Sequence, residues 1–599
     1  MKTPSIPILP PRALNWSIAA STAAAISYAD RGTSAIAASS LLEELHWNES
    51  QLGQVQSAFF VGYALTQVFG GVLGGRTSLS KDVTSAVDDG STDNLYSNKY
   101  NANDEDEELK LLYIESNQLT ASSTQKCVEG YRTVLPLSLV LTGITTFLFP
   151  MAAMSGVNWA ILDRFTLGLL EGVLLPSAMA GVSSTTSTDI PPQLFDSDKT
   201  TTRSTIYATL ELEPNTSTIL GTNKDFIATA SAIVIAGCYL GSAWAYLSAW
   251  VIFSEFSQVH FLSHWGFLSQ DADSPSVWPL LFYVNGILSL IITAMFSSEF
   301  DLTGWRKSSY SNNNNISLNK YDDKKADLWK STMRMMNDAI EVSKETLSSK
   351  SGRAIIAAQI GQGALLYSIA SWGPLYLERV VNISTTAATT ANADVSSSSS
   401  QLISWTAVAA SIAASSLILP QITQAVIGMS VGFGADKLSS KIGSRLTRRS
   451  LQFTSGVVPA LILLYLSILA TVSDGGNEAN LLQSPAFLFG AAQTISALSL
   501  GAVSVSHLEV ATPSKSGAVY ALGNVFAAIS GSLTVSLFGI LLDRQEAAGA
   551  TSTVASASNF ALPFQIVAIL SAVGSIYYSV SIQSELEIGI QEKNSRKSR

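Results

Sequence analysis

Three charged residues, Arg31, Arg164 and Glu171, stand inside long apolar stretches, where charge is costly. If those stretches cross a membrane, each charge costs roughly 2.5–3.5 kcal/mol by insertion scales, so it must be paired or used. Arg31 lies about 16 residues into the first stretch, roughly 24 Å along a helix. Arg164 lies near the start of the fourth, which runs the opposite way, so both guanidiniums fall in the same half of a bilayer. Two guanidiniums at one depth can hold a carboxylate or a phosphate with paired hydrogen bonds. Glu171 follows Arg164 by seven residues, roughly 10.5 Å deeper and on nearly the same face. Gly168 lies between them and is expected to leave room for a ligand. Burial raises a carboxyl pKa and a nearby arginine lowers it, so Glu171 is suited to exchanging a proton. The competing readings are ion pairs of Arg31 with Asp30 and of Arg164 with Asp163, or a structural salt bridge from Glu171 to an arginine.

The elements that must position these groups are visible as gaps between charges. Of 599 residues only 13 % are Asp, Glu, Lys or Arg, about half the usual share of roughly 25 %. Charge-free stretches run 50–75, 133–162, 172–188, 226–254, 274–298, 354–377, 395–435, 450–473, 479–508, 516–542 and 547–584. A first stretch, 13–40, is interrupted only by Asp30 and Arg31. About 20 apolar residues span a bilayer, so the pattern predicts an all-α membrane protein with twelve transmembrane helices. Two cysteines and four histidines leave no disulfide framework and no metal centre. The net charge of −10 argues against nucleic-acid binding. No phosphate-binding glycine loop, His-Glu-x-x-His or Cys-x-x-Cys is present, and an enzyme is not expected.

The spans divide into two halves of six. Residues 1–12 form a short tail rather than a signal peptide, 13–299 the first half, 300–353 a hydrophilic central loop, 354–584 the second half and 585–599 a basic tail. Insertions at 77–131 and 183–225 read as solvated spacers. Lys and Arg concentrate in 300–353, in the loop from Lys437 to Arg449 and in the tail, whereas 41–49, 154–158 and 473–483 have none. The positive-inside rule then puts both termini in the cytoplasm or its equivalent. Weak internal repetition is visible after spans two and eight, where Gly70–Arg76 and Val431–Lys437 each run from small residues to a cation. Arg76, Asp436 and Lys437 are therefore gate candidates, with Gly75 standing where the second copy has its acid. Six plus six spans around a charged loop is the layout of the major facilitator superfamily.

Segment by segment the chain resembles the anion:cation symporter family, which includes the vesicular glutamate transporters, sialin, and the sodium-dependent and plant plastid phosphate transporters. The resemblance rests on Tyr28-Ala29-Asp30-Arg31, on Val55 to Gln67, on Arg164 with Gly168-Leu169-Leu170-Glu171-Gly172 and Pro176, on Tyr239 to Ser242, on Trp372 to Tyr376, and on His507-Leu508-Glu509-Val510-Ala511 with Gly517 and Asn524. It implies substrate-binding roles for Arg31 and Arg164 and a coupling role for Glu171. It places Tyr63, Tyr367 and Gln362 on the cavity. Gln362 stands where family members carry Arg, His or another polar group, and mildly disfavours a dicarboxylate. His507 and Glu509 form an expected polar pair near the inner end of span ten and, with Asp30, complete the ion-coupling candidates. Asn524 after Gly523 is expected to mark a break in span eleven.

The expectation is a secondary carrier working by alternating access as a monomer in a lipid bilayer, without a cofactor. Its substrate is a small anion, phosphate first, moved with Na⁺ or H⁺. The alternatives are a proton-coupled carrier of acidic sugars or amino acids and, from another class, a non-transporting receptor on the same fold.

Overall fold

The computed structural model describes residues 11–74, 135–179, 216–255, 277–295, 333, 336–337, 340–390, 400–472, 484–511, 513–547, 558–583 and 587–588. Twelve long helices run through them. The first half holds α1 (Pro11–Ile36), α2 (Glu49–Gly74), α3 (Leu135–Ser155), α4 (Val157–Glu171, continuing to 179 after a turn), α5 (Thr216–Glu255) and α6 (Trp278–Met295). The second holds α7 (Lys350–Thr390), α8 (Ser400–Ile442), α9 (Ser444–Val472), α10 (Pro485–Ser496, continued by a 3-10 turn Ala497–Gly501 and by Val503–Val510), α11 (Pro513–Ala547) and α12 (Ala561–Ser581). Eight of these are long and apolar enough to cross a membrane. The other four, α1, α2, α4 and α8, are richer in small, polar and charged residues, and α1, α2 and α4 carry Asp30, Glu49, Arg164 and Glu171 buried.

Helix ends run past the charge-free stretches. Helix α7 begins at Lys350, α5 includes Lys224 and Asp225, and α11 continues to Ala547. Charge-free length marks the segment a bilayer would cover, whereas charged first and last turns stay helical beyond it.

Each helix sorts its faces. On α3, Leu137, Leu141, Ile144, Leu148 and Met151 are exposed, while Ser138, Thr142, Thr146 and Phe149 are buried on the opposite side. An exposed aliphatic face with a polar buried one inverts the soluble-protein pattern and suits a lipid surround. Glycines set the helix spacing. A Cβ on Gly168 would overlap the carbonyl oxygen of Phe59, and one on Gly62 would overlap that of Phe165. Helices α2 and α4 therefore meet backbone to backbone, as small residues allow in lipid. Gly168 serves this contact and leaves no space for a ligand, contrary to the expectation from its position between Arg164 and Glu171.

The halves meet most tightly where α2 starts and α11 ends. Ser50 N–H donates to Asp543 Oδ2 at 3.0 Å, and Ser532 Oγ–H donates to the Ser57 carbonyl at 3.2 Å. Gln56 Nε2–H donates to the Ser371 carbonyl at 3.3 Å. Behind them Trp372, Tyr376, Phe538, Phe560 and Phe564 form an aromatic plug, with Trp372 stacked on Phe538 at 6.0 Å. The bundle is thus sealed at the end carrying the α1–α2 connection.

Candidate functional site

Between the halves lies a cavity of about 210 Å³. One water needs roughly 10–15 Å³ on this measure, so the space suits a small organic molecule as well as an ion. Arg31 and Arg164 are its only charged lining residues among those described. Tyr28, Tyr63, Tyr239, Tyr246, Tyr367 and Tyr520 contribute phenols. Gln56, Gln359, Gln362, Gln421, Gln424 and Gln493 contribute amides, with Asn524 beside Tyr520.

Arg31 is held from several sides. Its Nε–H donates to Glu171 Oε2 at 2.9 Å and its Nη2–H to Ser27 Oγ at 3.2 Å. Ser27 Oγ–H in turn donates to the same Glu171 oxygen at 2.5 Å. The guanidinium carbon lies 4.4 Å from the Tyr28 ring centre, 4.7 Å from Phe59 and 4.5 Å from Tyr63. Aromatic faces stabilise the cation where water is excluded. Arg31 Nη1 and Glu171 Oε1 are left without partners. Arg31 lines the cavity, and Glu171 stands behind it, fully buried.

Arg164 is 2 % exposed and stacks on Phe149, 3.9 Å from its centre, with Phe282 at 5.3 Å. Its Nε and Nη2 have no hydrogen-bond partner. Arg31 does not pair with Asp30, whose carboxylate oxygens are both buried and unpartnered. The expected ion pair between neighbours along α1 fails because adjacent helical residues diverge by about 100°. The partner Arg31 finds instead is Glu171, across the α1–α4 contact.

Other candidates scatter. Tyr63, Tyr367, Gln362 and Asn524 join Arg31 and Arg164 on the cavity. Phe60 packs on Tyr367 across the halves, ring centres 4.4 Å apart and tilted by 31°. His507 and Glu509 do not form the expected pair. Glu509 accepts from Arg448 at 2.9 Å and from Ser444 Oγ–H at 2.6 Å, while His507 packs against Tyr520. Two residues apart on a helix, they face different neighbours. Helix α11 is continuous through Gly523 and Asn524, so the expected break there is absent. Breaks occur instead in α4, directly after Glu171, and in α10 at Ala497–Ala502. These helices hold the same place in their halves. Gln362 Nε2–H steadies the second break, donating to the Ser496 carbonyl and to Ser499 Oγ. Lys437 is exposed on α8. Arg76 and the Asp436 side chain lie outside the described residues.

Sequence reasoning named Gln362 but missed the other five glutamines and one ionic cluster. Gln359 with Gln362 on α7 and Gln421 with Gln424 on α8 repeat an i, i+3 spacing that puts each pair on one face, a signal present in the chain. At the sealed end Arg379 of α7 bonds Glu49 of α2 at 2.6 Å, with Glu546 of α11 at 3.9 Å.

No family model matches the chain, and no curated protein matches it. Solved structures do. A bacterial homologue of the human lysosomal transporter Spinster, inward-facing and unoccupied, aligns over 96% of this chain and 98% of its own at 14% identity, with a TM-score of 0.53. The occupied inward-facing form aligns over 94% and 96% at 14% identity, with a TM-score of 0.51. The proton:xylose symporter XylE, described as a major facilitator superfamily protein, aligns over 96% and 97% at 11% identity, with a TM-score of 0.45. The twelve long helices of the described residues, six and six around a central cavity, share the fold of the Spinster homologue, the major facilitator fold.

Proposed function

We propose that this protein is a secondary carrier that moves a small anion by alternating access, coupled to a cation. The observation that carries this reading is Arg31 on the cavity wall, caged by aromatics and paired with the buried Glu171 behind it. An anion entering this cavity competes with Glu171 for Arg31. Releasing a buried carboxylate unpaired is costly. Substrate capture is therefore favoured when Glu171 takes up a proton or a cation arrives to balance it. That exchange ties the anion to the coupling ion. Arg164, with free N–H groups, supplies a second handle.

The lining favours a hydroxylated organic monoanion, of the acidic-sugar or amino-acid class, over inorganic phosphate. The second half contributes no charge to the cavity among the described residues; its polar lining is amides and hydroxyls, set among apolar side chains such as Leu366 and Val503. Such groups match hydroxyls and amides of a ligand and cannot balance a second negative charge. The expected charge pattern would put the sealed end outside, which makes this state open toward the cytoplasm or its equivalent.

The test is counterflow in proteoliposomes loaded with unlabelled sialic acid, glucuronate, glutamate or phosphate, against the same labelled anion outside. Exchange of an organic monoanion exceeding that of phosphate, and lost in Arg31→Ala, supports the reading. Phosphate exchanged faster restores the inorganic substrate. Binding without flux across the panel makes a non-transporting receptor the better account.

A further inference from the structure

Arg379 of α7 and Asp543 of α11 lie at the sealed end, so the starts of these helices, at Ser351 and Pro513, lie at the opposite one. There two residues from beyond α12, Glu587 and Ile588, cross the ends of the helices. The Ser351 N–H donates to Glu587 Oε2 at 3.0 Å and the Ser351 hydroxyl donates to Oε1 at 2.5 Å. The N–H groups of Glu587 and Ile588 both donate to the Val510 carbonyl at 2.9 Å. Ile588 pairs with Ala511 as a parallel bridge. Its side chain is 1 % exposed, in a buried cluster with Val342, Ile355, Val510, Val519 and Ile582.

These bonds cap two helices at once. The first N–H groups of a helix and its last carbonyls lack partners within it, and carry partial positive and negative charge. At the start of α7 the Ser349 hydroxyl accepts the Gly352 N–H, and the Glu587 carboxylate accepts that of Ser351. At the end of α10 the chain turns extended at Ala511, and the N–H groups of Glu587 and Ile588 take the Val510 carbonyl. An acid therefore meets the positive end of one helix, and donors meet the negative end of the other.

What these residues grip is the inner part of α10. That helix breaks at Ala497–Ala502, and Val503 and Ser504 just beyond the break line the cavity. The segment Val503–Val510 is thus a short lever, jointed at the break, forming part of the cavity wall and fastened at Val510. Among the described residues, the partners of Glu587 and Ile588 belong to the second half or to the residues leading into α7. A lever tied to its own half cannot swing toward the other one. We propose that Glu587–Ile588 is a strap that fastens the α10 lever to the start of α7 and holds the cavity mouth open at this end. Closing the mouth then requires the strap to let go, which makes it a brake on the transport cycle. The strap's role, though not its seat, rests on the alternating-access reading.

The test uses single-cysteine reporters in the reconstituted full chain, with the two native cysteines removed as Cys127→Ser and Cys238→Ser. Ser504→Cys reports on the mouth and Ser57→Cys on the sealed end, each labelled from its own side by a membrane-impermeant thiol reagent. The strap is released by Glu587→Ala and, with no change of shape, by Glu587→Gln, so that one variant remains if the other does not fold. Glu341→Ala, which alters an exposed acid at the same end, is the control. Release is expected to slow labelling of Ser504→Cys and to speed that of Ser57→Cys. The change should reach about tenfold, the factor that one charge-assisted hydrogen bond is worth, with the control at wild-type rates. Opposite changes at the two ends mark a shift between states. A staple that only keeps the bundle together would instead raise labelling of Ser504→Cys as this end frays, and that result overturns the proposal. Unchanged rates at both reporters also overturn it. Counterflow in the same vesicles separates the strap from the carrier. Opposite shifts without anion flux would keep the strap and retire the carrier, and flux with unmoved reporters would do the reverse.

Discussion

Arg379 and Glu49 are 330 positions apart in the chain and 2.6 Å apart in the fold. They join the last part of α7 to the first residue of α2 and so tie one half to the other at the sealed end. Glu49 is 4 % exposed, and the backbone of its neighbour Ser50 is bonded by Asp543 of α11. Two carboxylates, Glu49 and Glu546, thus flank Arg379, with Asp543 held on the backbone beside Glu49. In the proposed alternating-access carrier this cluster would act as a latch, closed here and broken when the cavity opens at this end.

Glu49→Gln is expected to loosen that latch. Removing one partner of a buried pair leaves the other charge uncompensated, at a cost of about 3–5 kcal/mol for full burial and less at this partly exposed end. The sealed state loses that stabilisation while the state open at this end does not. A cysteine placed at Ser57, beneath the latch, then reacts faster with a membrane-impermeant thiol reagent applied from the Glu49 side. Unchanged labelling would deny the pair a gating role.

The charges inside apolar stretches were legible because burial forces them to be used, and the structure brings Arg31 and Glu171 together and sets Arg31 and Arg164 on one cavity. The number of spans was legible because charge-free length is a direct measure of what lipid can cover. Apart from Gln362, the glutamine lining was not, since amides do not interrupt a charge-free stretch. Glu49 and Arg379 were hidden for the opposite reason: charges at helix ends are ordinary, and only the fold makes these two neighbours. The Glu509–Arg448 pair was lost because reading outward from His507 favoured a partner close in sequence.

Arg31→Lys tests whether the guanidinium is needed for its shape as well as its charge. Lysine keeps the charge and can still approach Glu171, but it cannot donate to Glu171 and Ser27 while offering a free edge to an anion. Anion affinity in counterflow is expected to fall by tenfold or more, about 1.4 kcal/mol, with the protein still folded. Wild-type affinity in Arg31→Lys would reduce Arg31 to a simple counter-charge.

Glu171→Gln is predicted to separate exchange from accumulation. The amide cannot change charge, so the competition for Arg31 no longer depends on a proton or cation. Counterflow of the labelled anion should persist, and binding should tighten because Arg31 is released. Uphill uptake driven by an imposed ion gradient should disappear. Equal loss of both activities would mean that Glu171 only holds Arg31 in place.

Gly168→Ala probes the scaffold beneath the site. Its methyl group would overlap the Phe59 carbonyl oxygen, which is backbone and cannot rotate away. Helices α2 and α4 must then separate, and Phe59 and Tyr63, which cage Arg31, move with α2. Overpacking of this kind costs about 1–3 kcal/mol, so a lower unfolding midpoint is expected together with weaker anion binding. Gly434→Ala on α8, where nothing lies within 4 Å of the added atom, is the matched control and should leave both unchanged. If Gly168→Ala binds the anion normally, the aromatic cage does not depend on the close α2–α4 approach.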